Sequence, residues 1–187
     1  MTNRTKLAIG ALAILLIFFF INQQGQKKYT AKKSDLFTGN TEDVFRFTIT
    51  KGDEFLELIR MDTTWKIVDN DSLIVKQRSF DNFFDRVLTT RRESVVSQNP
   101  EKWSKFAVDD STGTMLSIYD YAGKSMGRFV FGSSRSDYSR NYVRINDDPN
   151  VYQTSSNIIF QLQTRPTYWG EKPKPPVVEA DTTFTEE

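Results

Sequence analysis

Neither cysteine nor histidine occurs anywhere in the 187 residues. The first absence removes disulfides, thiolate nucleophiles, a lipid-modified cysteine, and zinc or iron–sulfur sites built on thiolate. It fits an oxidising compartment entered without crosslinks, and a cytosol equally well. The second removes the commonest general base and the commonest metal ligand. The nine glycines are scattered at turns and form no phosphate-cradling loop. An excess of one charge is missing too. With 25 Lys and Arg against 24 Asp and Glu, the net charge is +1, and no global field argues for nucleic acid. No cofactor, metal ion or nucleic acid is expected from this inventory.

What is abundant is aromatic: fifteen Phe, seven Tyr and three Trp promise a core built on rings. The length suits one real core and is short for two. Residues 7–21 read LAIGALAILLIFFFI, without a charge or a strongly polar group. As a helix this run spans ~22 Å, short of the ~30 Å hydrocarbon core of a bilayer. Lys6 can snorkel at one end, and Asn22, Gln23 and Gln24 suit the headgroups at the other. A signal peptide has the same basic start and short apolar stretch. The bulky exit Phe18-Phe19-Phe20-Ile21 argues against cleavage, so an uncleaved anchor is expected. Two basic residues precede the run (Arg4, Lys6) and four come after it (Lys27, Lys28, Lys32, Lys33), which by the positive-inside rule alone keeps the domain in the cytoplasm. A short basic N-tail ahead of a first segment normally stays inside while the rest of the chain is exported, and export of the domain is expected. The chain then divides into an N-tail at 1–6, a transmembrane anchor at 7–21 and a juxtamembrane linker at 22–35. Beyond them lie a globular domain at 36–170 and a disordered tail at 171–187. This makes it a single-pass protein of the inner (cytoplasmic) membrane with an extracytoplasmic domain.

The expected fold is α+β, antiparallel meanders each followed by a helix packed on one face. Phe45, Phe47 and Ile49 alternate with Arg46, Thr48 and Thr50, a half-buried strand. Lys51-Gly52-Asp53 turns the chain into a strand over 54–60, and a turn at 61–63 leads to a third at 65–68. Then the period changes. Phe80, Phe83, Phe84, Val87 and Leu88 form one helical stripe, with Ser79 as N-cap and Arg91-Arg92 at the C-terminal end. A short helix is expected over 100–106, opening on Pro100. Strands come next at 114–120, 126–132, 141–146 and 151–154, and a second helix capped by Ser155 or Ser156 runs through Ile158, Ile159 and Leu162. Meander then helix, twice, predicts two similar halves. The tail carries three Pro within 173–176 and reads as disordered.

The order of these features resembles a known family. It runs through Phe47 and Ile49, Leu58 and Trp65, the Phe80–Leu88 helix, Val95-Val96-Ser97, Phe106-Ala107-Val108, Leu116 and Phe131-Gly132. It closes on Tyr142-Val143-Arg144 and Val151-Tyr152. The chain is similar here, over about 120 residues, to the bacterial domain-of-unknown-function family 4340. The resemblance implies a membrane-anchored envelope protein, encoded in many cases beside ABC-type export permeases, with an accessory or binding role. It carries no active site to transfer. Where such sequences often have a Gly-Leu-Asp or Gly-Val-Asp step, this chain has Ala107-Val108-Asp109.

Candidate chemistry is thin. Arg140, Tyr142 and Arg144 fall on alternate positions, and Arg128 lies on the preceding strand. Guanidiniums beside a phenol suit a phosphate, a carboxylate or an anionic glycan, whereas on an ordinary polar sheet face they pair with Asp and Glu neighbours. The acidic pairs at 53–54, 69–71, 109–110 and 147–148 sit where turns are expected and lack EF-hand spacing. Trp65, Trp103 and Trp169 suit core packing better than sugar stacking. With no catalytic residue in view, the expected function is a non-enzymatic, membrane-anchored envelope accessory domain. Residues 7–21 hold the bilayer and the domain binds a protein partner, in an ABC-type transporter-associated complex. The alternatives are a module for an anionic glycan or lipid headgroup and, behind it, a hydrolase that uses neither His nor Cys.

Overall fold

A computed structural model describes residues 10, 12–20, 33–62, 64–134 and 137–173. The N-tail, most of the linker and the tail from 174 onward lie outside the described residues, as do 7–9, 11 and 21 of the expected anchor. Residues 12–20 are helical, and their large apolar side chains are all at least 50% exposed. Among the described residues no helix is long and apolar enough to cross a membrane.

The domain is mainly antiparallel sheet with a few short helices, an α+β arrangement. Nine strands form one sheet: β1 (Ser34–Asp35), β2 (Arg46–Lys51), β3 (Glu54–Met61), β4 (Thr64–Ile67), β6 (Arg91–Ser97), β7 (Thr114–Tyr119), β8 (Ser125–Ser133), β9 (Asn141–Ile145) and β10 (Val151–Thr154). Their order is β1-β6-β10-β9-β8-β7-β2-β3-β4, and β5 (Ile74–Val75) pairs with β11 (Gly170–Glu171) in a second, two-stranded sheet. The expected two halves are therefore not separate units. β2 pairs with β7 along its whole length, setting Phe47 opposite Ile118 and Ile49 opposite Leu116. On its other side Phe47 faces Leu58 and Ile49 faces Leu56. Joining the meanders pairs one edge of each, β2 and β7, and puts both apolar faces on a single core.

The helices depart further from expectation. Helix α1 (Gln77–Asn82) starts after Lys76, without a side-chain cap. Ser79, expected as the cap, is buried inside it, and its hydroxyl donates to the Tyr168 carbonyl at 2.8 Å. From Phe83 to Val87 the helix widens into a π turn, closed by the Leu88 amide on the Phe83 carbonyl at 3.2 Å. Phe80, Phe83, Val87 and Leu88 are buried, while Phe84 stays half-buried. Arg91 and Arg92, expected at the helix end, instead open β6. The region 100–106 is two 3-10 turns, Pro100–Lys102 and Ser104–Phe106, the first capped by the Asn99 side chain on the Glu101 amide at 3.0 Å. The second expected helix shrinks to one 3-10 turn at Ile159–Gln161, because Asn141 Oδ1 captures the Ile158 amide at 2.7 Å. Ser155 is drawn away as well: its hydroxyl accepts from the Arg91 amide at 3.1 Å. A short helix α2 (Pro166–Trp169) comes last, opening on Pro166.

The core is the aromatic one the composition promised. Phe47 stacks on Phe83 at 4.1 Å with 11° between the rings, and the fully buried Trp169 closes over both. The Trp169 indole donates to the Gln163 carbonyl at 2.7 Å, so the one polar atom of that ring is satisfied. On the opposite face a smaller cluster of Val108, Val130 and Val151 is covered by the 3-10 segment through Trp103 and Phe106. Gly132 makes that cover possible, since a Cβ there would overlap the Phe106 carbonyl oxygen.

Candidate functional site

The four residues singled out by their alternation fall into two separate places. Arg128 on β8 and Arg144 on β9 converge on one carboxylate, Asp110. Arg128 Nη2 lies 2.9 Å from Asp110 Oδ1, and its Nε donates to the Met115 sulfur at 3.1 Å. Arg144 is only 3% exposed. Its Nε donates to the Val108 carbonyl at 3.0 Å, its Nη1 to the Asn146 carbonyl at 3.3 Å, and its Nη2 to Asp110. The guanidinium also stacks over Trp103 at 4.2 Å, whose indole donates to the Pro149 carbonyl at 3.1 Å. Arg144 thus ties the 3-10 segment to the sheet. An external anion would have to displace Asp110 to reach it.

Tyr142, two residues before Arg144 on the same face, stacks edge-on against Phe106 at 4.9 Å. Arg140 lies apart from the other two arginines. It donates to Glu93 at 2.5 Å and pairs with Asp137 at 3.4 Å, while Lys33 approaches the other Glu93 oxygen at 3.5 Å.

Within the acidic pairs Asp109 and Asp148 serve turns, while Asp110 is the shared counter-ion of the two arginines. Asp109 accepts from the amides and hydroxyls of Ser111 and Thr112. Partial burial works to raise its pKa, but those donors outweigh it and hold the carboxyl at about 2. Asp148 takes the Tyr152 hydroxyl at 2.6 Å, and burial, then this carboxylate, pushes the phenol up from its ordinary value. Asp137 is held down mainly by the Ser139 hydroxyl. No group of three or more acidic residues among the described residues is placed to hold a metal ion.

A further concavity lies elsewhere, away from the residues picked out by alternation. A groove of about 680 Å³ opens between β4 and β5 and is lined by Trp65, Leu73, Ile74, Val75, Phe80 and Phe84 among others. Its aromatic walls were visible in the sequence only as core candidates. Nothing local announced that β4 ends the sheet. A second, polar cleft of about 510 Å³ lies at the C-terminal end of the α1–π segment, around Arg86, Thr89, Thr90 and Ser156. Its threonine hydroxyls are spent on the carbonyls of Asp85 and Arg86, and a helix C-terminus disfavours an anion.

With the fold and these sites in view, comparison with known proteins gives one result. The family model described as "Domain of unknown function (DUF4340)" matches residues 65–173, more than half of the chain. The chain belongs to the DUF4340 family. No curated protein and no solved structure matches it. The DUF4340 match begins at Trp65 and leaves out β2 and β3, which nonetheless sit inside the sheet between β7 and β4. The Ala107 step falls within the match and adopts a left-handed conformation, φ 51° and ψ 41°, where glycine is the unstrained residue.

Proposed function

We propose that this DUF4340 chain is a membrane-anchored, non-enzymatic accessory domain of the envelope that binds a protein partner, in the setting of a transporter-associated complex. The observation that carries the membrane part is the helix at 12–20. Leu12, Ile14 to Ile17 and Phe18 to Phe20 are between 50% and 67% exposed, with no protein surface over them. A helix that is apolar all round needs a non-aqueous environment. Within the apolar run of 7–21, the bilayer supplies it. The partner part is supported by the groove at β4. A free strand edge beside aromatic walls is the kind of surface to which an extended segment of another protein adds.

Recognition of an anionic glycan or lipid headgroup through Arg128, Arg140 and Arg144 draws less support, because Asp110 and Glu93 already engage those guanidiniums. The test is affinity capture of the full chain from solubilised membranes after mild cross-linking in cells. A stable partner in near-equal amount is expected; its absence overturns the reading. A reporter fused after Glu187 reads the side of the membrane, and activity on the exported side is expected.

A further inference from the structure

At the groove beside β4 the aromatic core reaches the surface. The Trp65 ring lies 5.3 Å from that of Phe80 and 5.9 Å from that of Phe84, so the three make one continuous wall. Phe80 is buried, whereas Trp65 and Phe84 are half-buried and pack on the core from outside. Met61 and Ile74, 50% and 57% exposed, add apolar surface to the same lining. On the opposite face of the sheet, Trp103 and Phe106 cover the valine cluster. Among the described residues no element covers the groove in that way. An apolar surface of this kind, rimmed by polar groups, marks a place where another molecule settles.

Charge narrows what can settle there. The charged residues of the lining are Lys66, Asp71 and Asp81. Lys66 and Asp71 neutralise one another at 2.8 Å. Asp81 accepts from the uncharged Gln77 at 2.8 Å, and no cation among the described residues pairs with it. Asp85, exposed and one turn further along the same helix, is likewise outside any ion pair among the described residues, and Phe84 stands between the two carboxylates. Like charges four residues apart on a helix repel, a cost to the isolated domain that a cation from outside removes. Over the whole stretch 61–85, five Asp stand against three Lys and Arg, in a chain of net charge +1. Of those cations Lys76 is turned to the Thr167 carbonyl at 2.5 Å, and Arg78 lies off the lining. We propose that the groove receives a basic, apolar segment of the protein partner, with a bulky apolar side chain against Trp65 and Phe84 and a Lys or Arg facing Asp81 and Asp85. Apolar contact supplies the hold, and the opposed charges set the choice of partner and its register. An anionic segment would bring like charges together over the same rim.

This assignment rests on the reading of the domain as one that binds a protein, and it names the chemistry of that partner. The experiment uses the full chain in the membranes of the cells that make it. The photoreactive residue p-benzoylphenylalanine replaces Ile74 at the groove or, as a control, Phe55, which is 60% exposed and lies at the other end of β3. Irradiation is expected to link position 74, and not position 55, to a protein segment in which mass spectrometry finds Lys or Arg beside bulky apolar residues. Asp81→Lys with Asp85→Lys should lower the yield of that link at least ~10-fold, and exchanging the basic residues of the captured segment for Glu should restore it. Asp81→Asn with Asp85→Asn, the milder pair, should lower the yield in the same direction. Four results overturn the proposal: no link from position 74, a link to an acidic or uncharged segment, a link to lipid or to a second copy of this chain, and a link that all four aspartate substitutions leave unchanged. A partner recovered by affinity capture without a link from position 74 overturns this assignment alone. Recovery of no partner at all overturns the reading beneath it as well.

Discussion

Among the described residues, Ala107 is the one left-handed non-glycine residue that is neither Asp nor Asn, with φ 51° at the close of the second 3-10 turn. Left-handed backbone costs a non-glycine residue ~1–2 kcal/mol, partly offset by the extra unfolded-state freedom of glycine. Ala107→Gly should therefore stabilise the domain by about 0.5–1 kcal/mol, read as a rise of a few degrees in Tm. Arg144 and Arg128 share a carboxylate but not a role. Removing the buried Arg144 strips donors from the Val108 and Asn146 carbonyls and the cation from Trp103. Arg144→Ala should cost about 2–4 kcal/mol in denaturant unfolding, against less than ~1 kcal/mol for the half-exposed Arg128→Ala. Equal losses would mean that Asp110, rather than burial, dominates both. Asp109 gives a pH signature. Its folded pKa of about 2 lies below the ordinary 3.8, so its contribution is complete above that value and is lost as pH falls toward 2. Stability measured across that window should fall in the wild-type chain, and Asp109→Asn should flatten this part of the profile.

The element that organises the core is the α1–π segment. Its wider turn places Phe83 flat on Phe47 while leaving Phe84 at the mouth of the groove. Phe83→Ala opens a cavity under Trp169 and should cost about 3–5 kcal/mol, whereas Phe84→Ala should cost markedly less in the same thermal or denaturant unfolding. The helical stripe was legible as a period in the sequence, because i, i+3, i+4 spacing is local. The π turn was not, since one extra residue in a turn leaves the identities of the apolar residues unchanged. Ser79 shows the same limit: a serine ahead of an apolar run reads as a cap until tertiary structure offers it the Tyr168 carbonyl. The candidate site behaved alike. Alternation put Tyr142 and Arg144 on one face, as a strand must, but their partners Phe106 and Asp110 arrive from the 3-10 segment and the turn after it, more than thirty residues upstream.

For the whole molecule, the prediction that matters concerns attachment. If the bilayer covers residues 7–21, the full chain should stay with membranes through high salt and through alkaline carbonate, and a chain lacking those residues should be released. Release by high salt alone would mean that the basic residues between 27 and 33 hold it electrostatically to anionic headgroups. Immunoblotting of the membrane and soluble fractions decides between these outcomes.

The sequence by itself determined β2, β3, β4, β7, β8, β9 and β10 to within a residue or two, because alternation is a property of neighbours along the chain, whereas β6 was not read as a strand. It determined the aromatic character of the core and the apolar segment ahead of it through composition alone. Only the tertiary structure decided that β2 pairs with β7 to merge two meanders into one sheet, and that Arg128 and Arg144 meet on Asp110 while Arg140 goes to Glu93. It also decided that β4 ends the sheet beside a groove. Pairing order, shared counterions and free edges depend on residues distant in the chain, and a local period carries no information about which distant segment satisfies an edge or a charge.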